Sequence, residues 1–110
     1  MANVPQALSN AAFVSDSAEV LYTSTTAKAV IGAATVRNAS SNNVALTIYA
    51  VPSAGTAGSG NAIFYRVLPP GYNDVVPELI GHTVEIGASV QAIAGAASSI
   101  VLVLSGWEYV

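Results

Sequence analysis

The chain has 110 residues, the length of a single domain, and only 8% of them are charged, against about 25% in an average domain. The net charge is −3. The three basic residues, Lys28, Arg37 and Arg66, are too far apart in the sequence to form the cationic cluster that DNA or RNA binding requires. The chain has no cysteine, which excludes disulfides, thiolate metal ligands and cysteine nucleophiles.

The scarcity of charge also bears on association. Nine charged side chains are too few to cover a domain, so we expect other subunits to bury part of its surface, most simply as a homo-oligomer. The first residues carry neither the basic nor the apolar region of a signal peptide. We therefore expect the chain to be made and kept in the cytosol until assembly.

Residues 1–18 are small, polar and weakly patterned, which predicts an N-terminal arm or short edge strands ahead of a domain over residues 19–110. In that domain, short runs of apolar residues with period two predict strands over 19–23, 27–38, 44–51, 63–68, 72–76, 83–93 and 99–109.

Turn-forming residues separate these predicted strands. An Asn/Ser-rich turn covers 38–43, an exposed and mobile Gly/Ser loop covers 52–61, and a connector with one helical turn covers 77–81. Short strands with such turns predict an all-β fold: a single antiparallel β-sandwich, jelly-roll-like, of about seven to nine strands.

The uncharged stretch Ile86–Gly106 is long enough to cross a membrane as a helix. Its pattern favours strands instead, because the apolar positions from Val84 to Ala92 alternate with small or polar residues. The run Ile100–Leu104 has the length of a strand buried on both faces. We therefore predict no membrane segment here.

The chemistry-bearing residues are sparse. His82 is the only imidazole, and we expect it to be exposed at a strand end. Asp74 and Glu78 are expected to be solvated or paired with Arg37 or Arg66. No nucleophile elbow, P-loop or calcium-loop pattern occurs. We predict no enzymatic activity, no cofactor and no metal; a small hydrolase stays open only if His82 or two carboxylates converge in a pocket.

A few residues are better suited to contacting a binding partner than to catalysis. Trp107, Tyr109 and Tyr72 are of the types that anchor interfaces, and Gly55 and Gly58 lie in the exposed loop. The alternative for the three rings is stacking on sugars. That role requires them to be exposed together near a polar side chain.

The order of these pieces resembles a set of small tailed-bacteriophage virion proteins over Tyr22–Glu108. The matching segments are a strand before an Asn-rich turn, a second strand, a Pro-Pro-Gly corner, a long strand and a closing strand: Ala29–Asn38, Val44–Tyr49, Leu68–Gly71, Val84–Ala92 and Ser105–Glu108. Where that family often has Asp after the glycine of the long strand, this chain has Ala88.

The resemblance implies a structural component of the virion, made in the host cytoplasm. It decorates or cements the capsid or belongs to the neck or tail, and it carries out no chemistry. The expected partners are copies of the chain, as a trimer, pentamer or hexamer, and other virion proteins such as the major capsid or tail proteins, with no nucleic acid and no membrane. The alternative is a receptor- or glycan-binding module on a phage fibre.

Overall fold

The computed structural model describes residues 3–109, which form nine β-strands and two short 3-10 turns. The strands are β1 (Asn3–Phe13), β2 (Glu19–Thr23), β3 (Ala29–Asn38), β4 (Val44–Val51), β5 (Ala62–Leu68), β6 (Asn73–Val75), β7 (Thr83–Val84), β8 (Ser89–Ala94) and β9 (Ile100–Tyr109). The 3-10 turns span Ser59–Asn61 and Pro77–Leu79.

The strands form two antiparallel sheets. Sheet A has the order β1-β9-β3-β6, with β7 also paired to β3, and sheet B has the order β2-β8-β4-β5. The chain crosses between the sheets after β1, β2, β3, β5, β7 and β8. Two antiparallel sheets with their strands in this order form a jelly roll, so the predicted all-β antiparallel sandwich is confirmed.

Alternate residues of the central strands β3, β4, β8 and β9 point between the sheets and form most of the core. Ile31, Leu46, Ile48, Leu102 and Leu104 are each at most 1% exposed. Burial of each such side chain contributes about 1.5–3 kcal/mol. The other side of each strand faces away from the core, so the sandwich presents two broad outer surfaces.

The predicted strand over 83–93 is wrong, because the chain turns in the middle of it. β7 ends at Val84, the amide of Ala88 donates to the carbonyl of Glu85 over 2.9 Å, and Gly87 has φ of 88°, the geometry of a type II turn. The turn carries the chain from sheet A to sheet B. Ile86, expected on the inward face, is instead 57% exposed.

The structure also tests the predictions for the N-terminal segment and for the last strand. Of the N-terminal segment, residues 1 and 2 lie outside the described residues, and the part that follows forms β1, an edge strand paired with β9. The predicted burial of β9 on both faces is wrong: Val101 and Val103 are only half-buried, because no strand or turn within residues 3–109 covers the outer side of sheet A. The helical turn expected in the connector is present at Pro77–Leu79. No helix among residues 3–109 is long and apolar enough to cross a membrane.

Candidate functional site

The carboxylates considered for catalysis lie at different ends of the sandwich. Asp74 pairs with Val36 of β3, whereas Glu85 directly follows the pairing of β7 with Ala29. These positions are seven residues apart along β3, on the order of 20 Å in an extended strand. The structure therefore does not bring Asp74 and Glu85 together.

A polar network joins the edge of sheet B to β6. Arg66 donates to Glu78 over 2.9 Å and to the Tyr72 hydroxyl over 3.2 Å, and that hydroxyl donates to Asp74 over 3.3 Å. The Arg66 guanidinium also lies 5.1 Å from the ring centre of Phe64. The predicted pairing of Glu78 with an arginine is confirmed, but both partners are exposed, so the ion pair adds at most about 1 kcal/mol.

One apolar cleft opens at the end of the sandwich where β3 begins. It measures about 270 Å³, and Ile31 and Val90 lie in its lining. His82, Glu85 and Ser53 also border it, and His82 is exposed, as expected. Among the side-chain hydrogen bonds of the described residues, none joins these three groups, so the contact between nucleophile and base that acyl transfer uses is not formed.

Acidic and imidazole groups do not gather elsewhere either. Within residues 3–109, no cluster of three or more His, Asp or Glu side chains is placed to hold a metal ion.

The three aromatic side chains predicted to contact partners do not lie together. The Trp107 side chain is 41% exposed and lies against Gly32 on the outer side of sheet A. Tyr109 is two residues further along β9, on the same side and half-buried. Tyr72 lies at the other end of the sheet, where its carbonyl accepts from the Asn38 amide. Trp107 and Tyr109 can therefore act on one partner, and Tyr72 cannot join them.

The loop that contains Gly55 and Gly58 is exposed, as predicted, and it is organised by its own hydrogen bonds. The Gly55 amide donates to the carbonyl of Pro52, and the Gly58 amide donates to the side chain of Asn61. The Asn61 amide group in turn donates to the carbonyl of Thr56 over 2.8 Å. Asn61 therefore links two parts of the loop through hydrogen bonds.

The outer surface of sheet B is the feature that reasoning from the sequence missed. We call it face B. Register places its side chains in three rows across the strands: Val20, Gln91 and Tyr49; Ile93, Thr47 and Tyr65; Ala45 and Val67. Tyr65 is 67% exposed, Val20 54% and Val67 51%. Within the described part of the chain, no charged side chain lies in these rows.

The outer surface of sheet A, face A, differs in its charge. Its rows are Pro5, Trp107 and Val30; Ala7, Ser105 and Ala33; Val103, Thr35 and Val75; and Phe13, Val101, Arg37 and Asn73. Lys28 lies beside Tyr109 at one end, where its carbonyl accepts from the Tyr109 amide. Face A thus has an apolar centre, with an exposed cation at each end.

The carboxylates occupy other places. Asp16 and Glu85 lie in loops, Glu78 lies in a 3-10 turn, and Asp74 and Glu19 lie on edge strands. Glu108 alternates with the outward residues of β9 and points between the sheets. The two broad faces are therefore the parts of the described surface with the least negative charge.

Glu108 meets Tyr22 across the sandwich. The Tyr22 hydroxyl donates to Glu108 over 2.6 Å, joining β2 of sheet B to β9 of sheet A. Burial raises the pKa of the Tyr22 hydroxyl from 10.0 to about 12, and the hydrogen bond and negative charge of Glu108 add to the rise. The neutral phenol is therefore the form that the folded state favours.

This pair predicts a loss of stability in base. Below pH 10.0 Tyr22 keeps its proton in both the folded and the unfolded chain, so its contribution is fully present. As the pH rises towards about 12, the unfolded chain loses the proton first and the contribution disappears. Denaturant titrations across this range should show that Tyr22→Phe removes part of the loss, whereas Tyr65→Phe, at an exposed hydroxyl, does not. Equal pH dependence in the two variants would contradict the assignment.

Comparisons with protein-family models, curated proteins and solved structures find no match to the chain.

Proposed function

We propose that the chain is a structural component of a tailed-phage virion, a self-associating sandwich that decorates or cements the capsid or forms part of the neck or tail. One observation carries the proposal: both broad faces of the sandwich are apolar and poor in charge. Face B has no charged group in its rows, and face A has cations only at its ends. Depletion of charge with exposed Tyr and Trp is typical of the centres of protein interfaces.

The turns and strands support the placement in a virion through their resemblance to small tailed-phage virion proteins. The matching corner Leu68–Gly71 leads from β5 to β6, and the matching segment Ser105–Glu108 closes sheet A on β9. In this role the protein binds passively. Its partners are its own copies and other virion proteins, such as the major capsid or tail protein, after synthesis in the host cytoplasm.

Face A is suited to binding the other virion proteins. Lys28 and Arg37 give it positive ends around an apolar centre that includes Trp107, and such a surface complements an apolar patch with an acidic rim on another protein. Two cations are too few to hold nucleic acid through its phosphates, so we propose protein partners only.

A second candidate is a receptor- or glycan-binding module on a phage fibre. Trp107 borders a shallow hollow on face A together with Ser105, which is an arrangement that can stack on a sugar ring. Titration of Trp107 fluorescence with a panel of bacterial surface glycans tests it. Saturable quenching that Trp107→Phe abolishes would favour this candidate.

The mass of the assembly and the protein content of the virion test the structural proposal. Light scattering in dilute buffer should give a multiple of the 11.1 kDa chain mass, and mass spectrometry of purified particles of the phage that encodes the chain should detect it in the intact virion. A monodisperse monomer at high concentration together with absence from the particle would refute the proposal.

A further inference from the structure

We propose that two copies of the chain associate through face B, packed face to face about a two-fold axis. This inference rests on the proposed function and names the surface that carries self-association. In such an isologous contact each residue of the surface meets the same surface of the other copy. A surface whose charges all have one sign therefore opposes like charges when it meets itself, so a surface used in this way should not carry charges of one sign only.

Face B meets this requirement and face A does not. The eight side chains in the rows of face B are all uncharged. Two copies of face A would bring Arg37 and Lys28 towards their own kind, with no carboxylate in the rows of that face to offset them. Like charges opposed in an interface disfavour the complex. The distribution of charge therefore selects face B for a second copy of this chain.

The composition of face B also suits a second copy. Tyr65, Val20 and Val67 supply exposed apolar area at its margins, and Tyr49 and Thr47 lie half-buried between them. Gln91 donates to Ser89 of the same strand over 3.1 Å, so part of the polarity of face B is already satisfied before association.

A two-fold contact restricts the number of chains in the assembly. A hexamer with dihedral symmetry contains such axes, and so does a simple dimer, whereas a trimer or pentamer with cyclic symmetry alone does not. Wild-type protein should therefore have the mass of an even number of chains. An odd number would overturn this inference and still support self-association, which separates its failure from that of the proposed function.

Matched threonines on the two faces give the decisive variants. Thr47 is central in face B, on β4 between β8 and β5, and Thr35 is central in face A, on β3 between β9 and β6. Thr47→Lys should weaken the two-fold association at least about 100-fold in analytical ultracentrifugation. Thr35→Lys should leave that association unchanged, and Tyr65→Lys, at a strongly exposed position on an edge strand, should repeat the effect of Thr47→Lys.

Mixing provides the internal control for folding. Thr47→Lys and Thr47→Glu should each be monomeric at the two-fold contact, and an equal mixture should regain it, because opposite charges then meet across the axis. Each variant should keep a wild-type circular dichroism spectrum. Retention of the even-numbered assembly by Thr47→Lys, or its loss in Thr35→Lys alone, would overturn the assignment to face B.

Discussion

Replacing Gly106 by alanine is expected to lower the free energy of unfolding by at least about 3 kcal/mol, a large part of the about 5–15 kcal/mol that stabilises an ordinary domain. A Cβ atom at this position would overlap the carbonyl oxygen of Val30 and lie 3.0 Å from the amide nitrogen of Gly32. These are backbone atoms, so no side chain can rotate away to make room. The only relief is to separate β9 from β3.

The close approach arises from a bulge. The register between β3 and β9 shifts between Ile31 and Ala33, so that Gly32 is the extra residue on β3. β9 is held from its other side by β1 along most of its length. β9 therefore cannot move away from the bulge without losing its pairing with β1. A methyl group at position 106 would disrupt either the pairing of β9 with β3 or its pairing with β1.

Urea denaturation followed by circular dichroism measures the effect. The matched control is Gly60→Ala, because Gly60 lies in an exposed loop with open space where the Cβ would be, and its stability should stay within about 0.5 kcal/mol of the wild type. A Gly106→Ala protein that is as stable as this control would show that the strands can separate at little cost.

The turns of this fold were predictable because their chemistry is local. The Asn/Ser-rich segment 38–43 does turn between β3 and β4, and Pro69–Gly71 does end β5. Asn and Ser bond their neighbours' backbone, and proline cannot donate to a ladder, so each signal acts within a few residues. The strand bounds between such turns followed closely.

The sequence does not reveal the break after Val84, because the residues on both sides of it keep the same alternation of inward and outward positions. Four residues, Glu85–Ala88, separate β7 from β8. Because that number is even, Val84 and Val90 both point inward although they belong to different sheets. The alternation then reads as one continuous strand. Gly87, with its positive φ, is the residue that marks the turn, and a single glycine in a strand pattern also fits a bulge.

The candidate site was harder to predict from the sequence than the fold. The scarcity of charge indicated an interface, but placing it requires knowing which strands are neighbours. Thr47 and Tyr65 share a row only because β4 pairs with β5, and Ile93 joins them only through β8. The contact of Tyr22 with Glu108 spans 86 residues of sequence and carries no local signal.

The second large effect is expected at Asn38, where alanine should lower the free energy of unfolding by about 2–4 kcal/mol. The side chain is fully buried and has four hydrogen bonds. Its amide group donates to the carbonyls of Asn42 and Leu68, each over 2.9 Å. Its carbonyl oxygen accepts from the amide and hydroxyl of Ser40 over 2.9 and 2.7 Å.

These bonds connect segments that are distant in sequence. Asn42 and Ser40 belong to the turn between β3 and β4, whereas Leu68 ends β5, thirty residues away. Alanine would leave the buried carbonyl of Leu68 without this donor and the turn without its anchor. A buried polar group that loses its partner costs about 1–3 kcal/mol, and the lost hydrogen bond to the part-buried turn adds about 1 kcal/mol, which together give the expected range.

Two further variants separate the donor from the acceptor in this network. Asn38→Asp keeps the oxygens that Ser40 needs and removes both donors, placing a carboxylate against two carbonyls, so it should destabilise at least as much as alanine at neutral pH. Asn43→Ala, at an exposed position in the same turn, should change stability by less than about 0.5 kcal/mol. Urea titrations of the three variants test this. If Asn38→Asp matched the wild type, the donated bonds would have no role, and the joining of β5 to the turn would rest on backbone contacts alone.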